Sequence, residues 1–126
     1  MILFSKALLS AAKKYVNYIT QTVAYPPARI QIDSTADDYS KVYVSNVTTT
    51  VGYLRFYLES ENLEFVCDSE YIYQFDGYAN GYWQIRLQPT KEGIEIGNTY
   101  EIPCSLVETA TGKIVQKFTI YYTRKV

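Results

Sequence analysis

Tyr100-Glu101-Ile102-Pro103-Cys104-Ser105-Leu106 decides the fold, because its apolar side chains fall on every second position. That period belongs to a strand with one buried face, with Tyr100, Ile102, Cys104 and Leu106 on it. After a turn at Ala110-Thr111-Gly112, the run Ile114, Gln116, Phe118, Ile120, Tyr122 repeats the alternation, so the two segments read as a hairpin. Working back towards the N-terminus, Trp83, Ile85 and Leu87 alternate with Tyr82, Gln84 and Arg86. Leu54, Phe56 and Leu58 alternate with Tyr53, Arg55 and Tyr57 in the same way. Val42 and Val44 flank Tyr43, and Ala28, Ile30 and Ile32 alternate with Arg29, Gln31 and Asp33. Shorter strands are expected at 63–67 and 70–75. Asp76-Gly77 and Asn80-Gly81 both carry the residues of a type I′ turn, which puts a hairpin tip between 75 and 82. Seven or eight short strands separated by turn residues predict a mainly β chain folded as an antiparallel sandwich.

Residues upstream of Pro26-Pro27 follow a different period. At 100° per residue, Lys6, Ser10, Lys13, Lys14, Asn17, Thr20 and Gln21 fall within an arc of about 120°. Phe4, Leu8, Tyr15, Ile19 and Val23 are among the apolar residues opposite. The reading is one amphipathic α-helix over about residues 5–23, with Ser5 as N-cap and the two prolines as its stop. Two units follow: 1–25 as an assembly helix and 26–126 as the sandwich. The apolar arc of about 200° exceeds what docking on one sheet requires, so its second flank calls for another chain. Phe4, Leu8, Tyr15 and Ile19 are the candidate assembly residues.

Composition limits the chemistry. The 126 residues hold 12 basic and 13 acidic side chains, and no histidine. Without histidine the commonest general base, the His-based triads and most transition-metal sites are absent. A net charge of −1 offers no general attraction to nucleic acid, so none is expected as a partner. Glu59, Glu61, Glu64, Asp68, Glu70 and Asp76 form an acidic run, read as solvated carboxylates at strand ends rather than an acid–base pair. Asp33, Asp37 and Asp38 lack the spacing of a calcium loop and read as a solvated turn. Neither catalytic, metal nor cofactor residues are assigned, and the chain is read as a non-enzyme. Cys67 and Cys104 sit in apolar runs and read as buried free thiols in preference to a bridge. Asn46-Val47-Thr48 matches a glycosylation sequon, taken as chance.

The tyrosines are more informative. There are 14, against 5 phenylalanines and one tryptophan, and many fall on the phase opposite the apolar one. Tyrosine suits contact surfaces because it buries a large ring, freezes few rotamers and keeps a polar tip. It also has high strand propensity, so part of the bias is sheet-building. Tyr71, Tyr73, Tyr78, Asn80 and Tyr82 cluster about the expected hairpin tip as a candidate ligand or partner surface, and there a glycan is the alternative partner. Charge is uneven as well: residues 1–32 carry +4, and the remainder carries 8 basic against 13 acidic side chains. This favours contact between subunits over a membrane surface, for which the polar arc is narrow.

The stretch Glu95-Ile96-Gly97-Asn98-Thr99-Tyr100-Glu101-Ile102, with the Thr111-Gly112-Lys113 turn and a closing strand, resembles the last hairpin of immunoglobulin-like domains. There a glycine turn feeds a strand that starts with a tyrosine packed over the sandwich end. Antibody-type domains are not matched. Cys67, Trp83 and Cys104 have the right order, but the cysteines are too close together, and Ile102 stands where the corner tyrosine is expected. In strand order and final hairpin, residues 28–126 are similar to the small immunoglobulin-like domains of bacteriophage virion proteins. Examples are the N-terminal domain of baseplate upper proteins and decoration or fibre-anchoring proteins. The resemblance implies a virion structural subunit (fibre, decoration or connector), made in the host cytoplasm and acting as a homo-oligomer or with other virion proteins.

Overall fold

Nine strands account for the regular structure in a computed structural model that describes residues 19–33, 41–58, 62–69 and 72–126. In chain order they are β1 (Ile19–Tyr25), β2 (Arg29–Asp33), β3 (Lys41–Ser45), β4 (Gly52–Leu58), β5 (Leu63–Cys67), β6 (Tyr73–Ala79), β7 (Tyr82–Leu87), β8 (Thr99–Glu108) and β9 (Ile114–Thr123). They form a four-stranded sheet in the order β1-β4-β7-β6 and a five-stranded sheet in the order β2-β3-β9-β8-β5. All pairings are antiparallel except β3 with β9, which run parallel.

The two sheets bury their inner faces against each other as the alternation requires. Leu54 and Phe56 of β4 and Ile85 and Leu87 of β7 face Phe65 of β5, Ile102 and Leu106 of β8 and Phe118, Ile120 and Tyr122 of β9. Phe65 stacks on Phe56 at 4.8 Å between ring centroids and lies 5.5 Å from Phe118, so three rings lock the two layers together. Such pairs add to the burial of the rings themselves, which dominates the cohesion of a core.

Nine strands stand where seven or eight are expected, one pairing is parallel where an antiparallel sandwich is expected, and four further features differ from the sequence reading. Residues 19–23, expected at the end of the helix, lie in β1, and the remainder of that expected helix lies outside the described residues. The assembly unit 1–25 therefore surrenders its last seven residues to the sandwich. Pro26 and Pro27, expected as a helix stop, instead carry the chain from one sheet to the other, and the Tyr25–Pro26 peptide is cis. Asp76-Gly77 is not a turn. Gly77, with φ of 85°, sits where the β6–β7 register shifts by one residue, a bulge within the strand. The turn is Asn80-Gly81, whose φ values of 56° and 87° are those of a type I′ hairpin. Finally, a register shift beside Leu106 and Val107 pairs Val107 with Ile114 and leaves Val115 as the extra residue. Val115 packs against the core and Ile114 is exposed, reversing the phase expected at the start of β9.

The last strands are tied by side chains. Asn46 of the sequon donates from Nδ2 to the carbonyls of Thr48 and Val126, and its Oδ1 accepts the Lys125 N–H at 2.6 Å. That amide fixes the end of β9 beside β3. The loop between β7 and β8 is closed similarly: Arg124 donates from Nη1 to Ile94 O at 2.7 Å, while Ile94 itself is buried.

Candidate functional site

The outward positions of the four-stranded sheet follow from its register. Arg55 of β4 pairs with Gln84 of β7 and Val23 of β1, and Tyr53 pairs with Arg86 and Tyr25. Since Leu54 and Phe56 are buried, Tyr53, Arg55 and Tyr57 share the other face with Tyr25, Tyr82, Gln84 and Arg86. The sequence phase had put Tyr53, Tyr57 and Tyr82 on that face.

Those side chains are joined into a network. The Arg55 guanidinium lies 4.7 Å from the centroid of the Tyr25 ring and 4.5 Å from that of Tyr82, so it is held between two aromatic faces. Its Nε donates to Gln84 Oε1 at 2.9 Å. Gln84 in turn donates from Nε2 to Asp76 Oδ2 at 2.7 Å. Asp76 forms an ion pair with Arg86 at 3.3 Å and also receives Gln74 Nε2. Arg86 lies over the Tyr53 ring at 5.4 Å, and Tyr57 meets Tyr82 edge-on at 5.6 Å. Every strand of the sheet contributes. The bulge at Gly77 makes this possible, since the register shift beside it accompanies an Asp76 that reaches both Gln84 and Arg86.

Electrostatically the network of described residues on this face holds two cations, Arg55 and Arg86, and one carboxylate, Asp76. Arg86 is neutralised by Asp76, whereas Arg55 has no carboxylate partner among the described residues. A guanidinium fixed between rings has already lost its rotamer freedom, so a partner's carboxylate or carbonyl can be bound with little further ordering. That makes Arg55 the electrostatic centre of the face.

The expected site residues are distributed differently. Phe4, Leu8 and Tyr15 lie outside the described residues, as does Tyr71. Ile19 is buried in the core at 6% exposure, paired with Leu58, so it builds the sandwich rather than an assembly surface. Tyr73 is likewise corrected: it faces inward from β6 at 2% exposure and is not part of a ligand surface. Tyr78 is 61% exposed and, with Asn80 and Tyr82, belongs to the hairpin tip. Tyr78 leans on Trp83, whose ring is parallel to that of Phe75 within 3°. Leu58, Leu63, Glu64, Tyr78, Gly81, Trp83 and Thr109 line an open cleft of about 750 Å³ at this end of the sandwich. Sequence reading missed Arg55, Gln84, Arg86 and Asp76 as a unit. The signal was available, since Arg55 and Arg86 alternate with core residues in phase with the tyrosines. The other sheet carries a smaller aromatic feature, Tyr43 stacked on Tyr121 at 5.2 Å.

Of the acidic run, Glu59, Glu61 and Glu70 are outside the described residues, and Glu64 and Asp68 are exposed. Among the described residues no group of three His, Cys, Asp or Glu is placed to hold a metal ion. No described helix is long and apolar enough to cross a membrane.

No protein-family model matches the chain, and no curated protein matches it either. Among solved structures it is similar to tripeptidyl peptidase 2 at 10% identity and a TM-score of 0.42. The match covers 88% of this chain but only 10% of the peptidase, so this chain spans about a tenth of that protein's length.

Proposed function

We propose that the chain is an immunoglobulin-like assembly module, a structural subunit of a bacteriophage particle that binds its neighbours through the outer face of β1-β4-β7-β6. The Arg55 site carries this reading: a cation held by two tyrosine rings, with no carboxylate of its own among the described residues, is built for contact. Aromatic residues and arginine are the side chains most enriched at the centres of protein interfaces. Further copies of the same chain are the first partners to consider.

The immunoglobulin-like part of the proposal is supported by strand order. Relabelled A to G from β1, with β4 as B and β9 as G, the sheets read A-B-E-D and G-F-C, with β3 and β2 added beside G. Tyr100 at the start of β8 supports it further. Its hydroxyl donates to Gly93 O at 2.9 Å and accepts the Glu95 N–H at 2.8 Å, tying the strand's start to the preceding loop. A tyrosine that bonds upstream backbone from the beginning of strand F is a feature of such sandwiches, here two residues earlier than Ile102. The virion part rests on the resemblance of residues 28–126 to phage domains.

Oxidative footprinting of the full chain tests the reading. Tyr25 and Tyr82 should lose reactivity as concentration rises while Tyr43 keeps it. Equal reactivity at all concentrations would count against the face as an interface.

A glycan-binding reading is favoured by one observation, the open cleft in which Tyr78 and Trp83 stand beside Glu64 and Thr109. Tyr78→Ala should then abolish retention on immobilised glycans, and an unretained parent protein would remove this alternative.

A further inference from the structure

Cys67 and Cys104 are read from sequence as buried free thiols, yet the fold sets them directly opposite each other on β5 and β8. Their sulfurs are 3.6 Å apart. The next pair along the ladder is joined by a bond from the Asp68 N–H to Pro103 O, so Cys67 and Cys104 occupy the neighbouring non-hydrogen-bonded site. Opposed residues there have Cα atoms about 4.5 Å apart, within the range of roughly 4.4 to 6.8 Å that a disulfide spans. Side-chain rotation alone can bring the sulfurs to bonding distance. From the geometry we infer that Cys67 and Cys104 form an oxidisable dithiol, a modification site whose product is a cross-strand disulfide stapling β5 to β8.

The location gives the bond a purpose. β5 is one of the two edge strands of the five-stranded sheet and, among the described residues, is paired only with β8. Its pairing with β8 stops just beyond Cys67, because Pro103 has no N–H to continue the ladder. A covalent link at that point stops the strand end from peeling. It also closes a loop that contains β6, the Asn80-Gly81 turn and β7. Cross-linking removes chain freedom from the unfolded state, and its effect grows with the length of the loop enclosed.

Chemically the step requires an oxidant, here a low-molecular-mass disulfide. Cys67, the more exposed of the two, loses its proton and attacks one sulfur of the reagent, releasing one thiol and leaving a mixed disulfide. Cys104 then attacks the Cys67 sulfur, forming the protein disulfide and releasing the second thiol. Both cysteine protons end on the released thiols, and two electrons pass from the protein to the reagent. Burial, and then the hydrogen bond with Cys104, push the Cys67 thiol well above its ordinary range, while the Tyr73 side chain acts in the opposite sense. The first attack is therefore slow at neutral pH and accelerates as pH rises.

The test is oxidation of the folded full chain with oxidised glutathione, followed by alkylation and mass analysis. The expected product has no alkylatable thiol, no glutathione adduct and a mass roughly 2 Da below the reduced chain, with Cys67 and Cys104 in one linked peptide. Its thermal midpoint should rise by several degrees over the reduced form. Cys104→Ser should trap glutathione on Cys67, because no second thiol remains to displace it. Should that variant fail to fold, Cys67→Ala should leave Cys104 unmodified. A persistent adduct in the parent chain, covalent dimers, unreacted thiols or an unchanged midpoint would each overturn the proposal.

Discussion

Arg55 and Tyr82 belong to adjacent strands, and the guanidinium of one lies 4.5 Å from the ring centroid of the other. With Tyr25 on the far side, the contact immobilises a long cationic side chain on the surface of a sheet. Each such contact is worth about 0.5 to 1 kcal/mol at an exposed site. Arg55→Ala should therefore cost about 1 to 2 kcal/mol in urea unfolding and leave the strand content unchanged. A loss large enough to unfold the chain would mean that Arg55 supports the core instead.

The inner face should respond far more strongly. Phe65 is packed between Phe56, Phe75 and Phe118. Phe65→Ala removes all three ring contacts and leaves a cavity, at a cost of about 3 to 5 kcal/mol. That is a large part of the stability of a domain this size. Tyr78→Ala, at a site 61% exposed, should cost about 1 kcal/mol or less. Equilibrium unfolding of the two variants checks the contrast.

The hairpin tip supplies a backbone test. Gly81 has φ of 87°, and no atom within 4 Å would obstruct an added Cβ, so the penalty for a side chain there is purely conformational. Gly81→Ala should lower stability by about 1 kcal/mol, read as a shift in the urea midpoint without a change in slope.

How far the fold was legible in the sequence depended on which residues faced inward. β4, β5, β7 and β8 put large apolar residues on one phase and were readable from alternation alone. In β1 the phase is inverted. Thr22 and Ala24, small or polar, pair with Phe56 and Leu54 on the core side, while Val23 and Tyr25 face outward. A register shift between Ile19 and Gln21 disturbs the alternation further. Ile19 and Val23, four residues apart, then imitate a helical stripe, although Ile, Thr, Thr and Val are β-branched and suit a strand. Likewise Asp76-Gly77 has turn chemistry but serves a bulge, because only pairing across β7 distinguishes the two. The Tyr–Arg face was half legible: alternation placed Tyr53, Tyr57 and Tyr82 outward, but Tyr25 fell in the 1–25 unit read as an assembly helix, and the link through Gln84 and Asp76 depends on register that no local pattern reveals.

Tyr122 makes the fold sensitive to alkali. Burial pushes its phenol up to about 12 from the usual 10, with Arg124 opposing the shift and Tyr100 adding to it. Its hydroxyl is buried and finds no hydrogen-bond partner among the described residues. Between pH 10 and 12 the folded state keeps this proton while the unfolded state releases it, so stability falls as pH rises through that window. Tyr122→Phe removes both the buried hydroxyl and the titration. It should be neutral or stabilising at pH 7 and show a shallower alkaline loss, measurable by urea unfolding at about pH 7 and about pH 11.

The central claim is that the Arg55 face joins subunits, and the solution mass of the full chain tests it most directly. Light scattering after size exclusion should give a discrete oligomer for the parent chain. Arg55→Glu, with an unchanged strand signal by circular dichroism, should give a monomer. A parent chain that is monomeric at every concentration, or an oligomer indifferent to Arg55→Glu, would contradict the account.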